Sequence, residues 1–126
     1  MTISCSSPAK LLHSDKDNKI FFGSKGGFTN MSTDYVLFEN GSICRLQNDK
    51  VIKDGKISRE EVKAIVASLE EMQFMSAKTD EPGNMTYYVS VVRGDSRNAV
   101  QWSDHDRNPQ LRDIYLRLID LVREQQ

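Results

Sequence analysis

Apolar and polar residues alternate in short runs along most of this chain and change twice to a three-to-four-residue period. The alternating runs predict strands at Lys19–Phe22, Thr33–Glu39 and Ser42–Gln47, then at 84–93 and 97–103. Asn40-Gly41 between the second and third runs is a strong hairpin signal. Taken as a two-residue turn, it sets Phe38 opposite Ile43, Leu37 opposite Cys44 and Tyr35 opposite Leu46, with both faces substantially apolar. Gly94-Asp95 as a two-residue turn sets Val91 opposite Asn98, Val89 opposite Val100 and Tyr87 opposite Trp102. Cys44 reads as a small core hydrophobe.

The longer period first appears after Ser58. That serine is a good N-cap, Glu61 completes a capping box, and Ile57 can staple onto Val62. Val62, Ile65, Val66, Leu69 and Met72 form the helix's apolar stripe, which fades near 74–76. A second helix opens at Asn108-Pro109, with Leu111, Ile114, Tyr115, Leu118, Leu121 and Val122 on one side. Asp113 and Arg117 are spaced to pair along it. Residues 48–57 are polar with Asp54-Gly55 as a turn signal. They read as a loop holding at most a short strand at Val51–Lys53.

The expected fold is therefore α+β, in the order β-β-β-α-β-β-α. An antiparallel sheet of four to five strands carries both helices on one face. Residues 1–17 read as a leader or tether, and 18–126 as a single domain.

Composition narrows the function. Lys plus Arg number 17 against 18 Asp plus Glu, for a formal charge of −1. Such balance supplies no broad field for a nucleic acid or an anionic membrane. No apolar run approaches the ~20 residues that span a bilayer. The two cysteines make neither a disulfide framework nor a four-ligand zinc site, and no cofactor is expected.

Candidate chemistry is thin. His13 lies in the leader and His105 between Asp104 and Asp106 in a loop entering the second helix, so neither is matched to a Cys or Ser nucleophile. Gly23–Gly27 lacks a phosphate-loop pattern, and Arg93-Gly94-Asp95 is turn chemistry rather than an adhesion signal. The chain is read as a non-enzyme.

Cys5, followed by Ser6, Ser7 and Pro8, is a candidate lipidation site resembling the start of a mature bacterial lipoprotein. Two readings of the leader are open. One is a lipoprotein of the bacterial envelope, anchored only through Cys5. The other is a cytoplasmic chain with an ordinary cysteine near its end.

Three segments carry a resemblance: GGFTNMSTDYVLFENGSI at 26–43, EPGNMTYYVSVVRGD at 81–95 and QWSDHDRNPQLRDIYLRLIDLV at 101–122. Together they resemble a family of small bacterial proteins, many of them lipoproteins, in which a GGF loop precedes the first hairpin. More distantly the chain is similar to the emfourin-type inhibitors of thermolysin-like metalloproteases. The resemblance covers about residues 18–122 and implies an α+β scaffold that binds another protein, a metalloprotease among the candidates. The chain itself is expected to be a monomer or weak oligomer. The family pattern often has Gly at the place of Asn30. The candidate partner-binding loop is Gly26, Gly27, Phe28, Thr29 and Asn30, where Phe28 either anchors in a partner's pocket or folds back to plug the sheet's end. The alternative from the same class is a cytosolic or immunity-type protein that neutralises one toxin by surface complementarity, and a third reading is an enzyme of unknown type with polar groups converging around Trp102, Asp104 and His105.

Overall fold

The computed structural model describes residues 18–26, 31–48, 50–77, 85–103 and 109–125. The strands are β1 (Lys19–Gly26), β2 (Met31–Phe38), β3 (Ser42–Gln47), β4 (Lys50–Lys56), β5 (Met85–Arg93) and β6 (Ser96–Ser103). Among the described residues there are also two helices, α1 (Arg59–Glu71) and α2 (Pro109–Glu124), with one 3-10 turn at Phe74–Ser76. The six strands form one antiparallel sheet in the order β4-β3-β2-β1-β5-β6. The α+β class holds. The sheet has six strands rather than four to five, because residues 50–56 are a strand and not a loop.

That missed strand, β4, is an edge strand. Its ladder to β3 slips between Arg45 and Leu46, so Arg45 faces Lys53 while Leu46 faces Val51. The extra residue is Ile52, which is exposed. A bulge breaks the two-residue alternation that marks a strand in sequence. Asp54-Gly55, expected as a turn, pairs instead with Cys44 and Ile43. Lys50, Lys53 and Lys56 place charge along this outer edge, which discourages pairing with another chain.

The first hairpin also differs by one residue. Leu37 faces Ile43, Val36 faces Cys44, Tyr35 faces Arg45 and Asp34 faces Leu46. The turn holds three residues, Glu39 to Gly41, closed by Gly41 N–H donating to the Phe38 carbonyl at 3.0 Å. Gly41 has φ 95°, and a Cβ there would stand 2.4 Å from the Ile57 carbonyl oxygen, so only glycine fits. The Gly94-Asp95 hairpin has the expected register throughout.

These registers sort the apolar side chains onto two faces. On one face Ile20, Phe22, Leu37, Ile43, Val89, Val91, Val100 and Trp102 form the main core with both helices. The helices contribute Val62, Ile65 and Leu69 from α1, and Leu111, Ile114, Tyr115, Leu118 and Leu121 from α2. Each such side chain contributes roughly 1.5–3 kcal/mol through burial. The opposite face carries a smaller cluster of Val36, Phe38, Cys44 and Leu46, flanked by Phe21 and Val51.

Local polar contacts hold the helices in place. Ser58 caps α1 by accepting from Glu61 N–H at 3.2 Å. The Glu61 side chain turns to Arg117 on α2, and Arg117 also meets Glu124 at 3.6 Å. The expected Asp113–Arg117 pair thus gives way to a bridge between helices. Asn98, at a core-facing position of β6, donates to the carbonyls of Phe74 at 2.7 Å and Ala77 at 3.1 Å. It ties the turn after α1 to the sheet. Asn98→Ala leaves two half-buried carbonyls without this donor, and a loss of about 1–3 kcal/mol is expected in urea unfolding. A change below about 0.5 kcal/mol, typical of an inert surface position, would contradict that role.

Candidate functional site

Among the residues proposed from sequence, Gly26 closes β1, has φ 118° and pairs with Met31. Gly27, Phe28, Thr29, Asn30 and Cys5 lie outside the described residues, as do Asp104, His105 and Asp106. Near the Gly26 end, Trp102 is buried in an aromatic cluster with Tyr87 and Tyr115, ring centres 5.3–5.9 Å apart. That cluster is packing: each ring is held edge or tilt against the next.

The other end of the sheet, some seven residues or about 23 Å away along β1, is different. There α1 crosses the strand ends and borders an open cleft of about 800 Å³. One wall is α1, through Val62, Val66 and Leu69. The other is the sheet, through Ile20, Leu37 and Val91, and Phe74 with Met75 closes the far corner. Such a volume is in the range of small-molecule sites, which are mostly apolar with a few polar groups at fixed places.

The rim is charged and partly stitched. Glu70 and Arg93 form an ion pair at 2.6 Å across the C-terminal part of α1. Both side chains are about half exposed, so the pair adds little stability, but it links helix to sheet at that lip. Asn18 donates to Glu39 at 2.8 Å and accepts from Gly94 N–H at 2.9 Å. It thereby joins the two hairpin turns beneath the cleft. Lys19, nearly buried, and Arg59 and Lys63 on the first turns of α1 complete the basic side.

The remaining polar groups are structural. Tyr88 reaches across β1 to donate to Asp34 at 2.5 Å, passing over Gly23, which pairs with both residues. A Cβ at Gly23 would meet the Thr33 carbonyl oxygen at 2.0 Å. Burial first, then the bond to Asp34, pushes the Tyr88 phenol far above its usual range. Burial pushes Tyr115 up to about 12 against an opposing hydrogen bond with Ser24. Burial, reinforced by the Asp54 carboxylate, pushes the Cys44 thiol up to about 11. Among the described residues no three His, Cys, Asp or Glu side chains are grouped to hold a metal ion.

Sequence reasoning missed the cleft because it is made between elements. The one available signal was the width of the α1 stripe, where Val66 and Ala67 extend beyond the Val62–Ile65–Leu69 line. No protein-family model matches the chain, and no curated protein is significantly similar to it.

The raised thiol and phenol titrations make a pH prediction. Cys44 and Tyr115 ionise at higher pH folded than unfolded, so folding favours their neutral forms. Their contribution is complete below about pH 9, the ordinary thiol value, and is lost as pH rises through about 11 and 12. In a Cys5→Ser background, Cys44 should react with a thiol reagent at pH 8 only after denaturation, and stability should fall between pH 9 and 12. Reaction of the native chain at the rate of a free thiol would contradict the burial.

Proposed function

We propose that this is a non-enzymatic binding protein whose site is the cleft beneath α1, and that the site takes an aliphatic group. The observation that carries this reading is an 800 Å³ space walled by branched aliphatic side chains from three strands and one helix. The cleft opens to solvent, and covering its aliphatic surface with a ligand's methylenes gives about 0.8 kcal/mol each. The ionisable groups around it are lysines, arginines and glutamates at the rim, a pattern suited to holding a ligand at its mouth. Recognition then sits at the end of the sheet opposite Gly26.

The test uses a neutral aliphatic alcohol, decanol, followed by methyl chemical shifts. Titration should move Ile20, Leu37 and Val91 together and saturate. Val66→Trp, which fills the cleft from the half-buried side of α1, should weaken binding at least about tenfold while leaving the melting temperature within a few degrees. Unmoved cleft methyls in the parent chain, or equal binding by the tryptophan variant, would overturn the assignment.

A further inference from the structure

We infer that the ligand of this cleft is an amphipathic acid, an aliphatic chain ending in a carboxylate, held by Arg59 and Lys63. The inference rests on the cleft reading above and adds the chemistry of the ligand's head.

Charge at the rim is uneven. Lys19, Arg59, Lys63 and Arg93 line the cleft against Glu39 and Glu70, in a chain whose formal charge is −1. Both acids already have donors, Glu70 from Arg93 and Glu39 from Asn18. Arg59 and Lys63 are four residues apart on α1, so their Cβ atoms stand about 6 Å apart on one side of the helix. Among the described residues neither forms an ion pair. They border the same space as Val62 and Val66, one turn deeper into the aliphatic wall.

The two ends of the cleft are therefore unlike. At the Leu69 end the Glu70–Arg93 pair has its charges satisfied and Phe74 offers an apolar stop. At the Arg59 end a guanidinium and an ammonium are available to one anion. A carboxylate placed between them makes charge-assisted hydrogen bonds to both, while its chain runs along Val62, Val66 and Leu69 toward Phe74. The guanidinium's fork suits the two oxygens of a carboxylate, and the lysine adds a second point charge. An uncharged head leaves that pairing unmade, and a cationic head is repelled.

Decanoate and decanol, of equal chain length, separate the two claims. At low salt decanoate should bind the full-length chain at least about tenfold tighter than decanol, with shifts at the same cleft methyls. The difference should shrink as salt is raised and vanish in Arg59→Gln/Lys63→Gln, where decanoate binding should fall to the level of decanol in the same variant. Equal affinities for acid and alcohol in the parent chain would overturn this inference and leave the cleft reading standing. Binding of neither, with cleft methyls unmoved, would overturn both. A preference for the acid that survives in the double variant would assign the head to other residues and also defeat the proposal.

Discussion

β1 hydrogen-bonds to β2 along one side and to β5 along the other, residue for residue from Lys19 to Gly26. It is the only described strand that belongs to both halves of the sheet. Without it the β2-β3-β4 meander and the β5-β6 hairpin are separate ribbons, and a two-stranded ribbon is marginal by itself. With it, Ile20 lies between Leu37 and Val91, and Phe22 between Tyr35 and Val89, giving the helices one continuous surface to cover. Gly23 shows how tightly β1 is held: the strand leaves no room for a Cβ beside Thr33, and Tyr88 passes over the glycine to Asp34.

The same pairing sets the shape of the candidate site. Because β1 aligns its neighbours, the turns after β2 and β5 meet at one end of the sheet, where Asn18 bonds to both. α1 starts beside the first turn, through the Ile57 N–H to Gly41 carbonyl bond of 2.8 Å, and ends beside β6, where Asn98 receives the chain. The helix must therefore span the strand ends. The helix packs Val62, Ile65 and Leu69 onto the sheet, and the cleft lies open between its flank and the strand ends. α2 passes over the aromatic end, where Tyr115 packs on Tyr87 and Trp102, and runs on to the β4 edge, where Gln125 accepts from the Lys56 N–H at 3.2 Å.

Much of this was legible in the residues. The second hairpin was readable to the residue because Gly94-Asp95 interrupts a clean alternation. Both helices were readable because capping residues and a 3.6-residue stripe agree. The first hairpin slipped by one because Asn-Gly can serve two-residue and three-residue turns alike, and the choice depends on Gly41 lying against Ile57, a contact distant in sequence. β4 was hidden by its bulge at Ile52 and by its edge position, which removes the apolar alternation. The candidate site was the least legible, since no motif marks a gap between a helix and strand ends, and the Gly26–Asn30 loop drew attention through its own composition instead.

If β1 is the common member of both ribbons, its amides open only when the whole domain opens. Native-state hydrogen exchange measures this directly. Amides from Ile20 to Ser24 should exchange at the rate set by global unfolding, while those of the β4 edge exchange orders of magnitude faster. Fast exchange along β1, at the β4 rate with β2 and β5 still protected, would contradict the account.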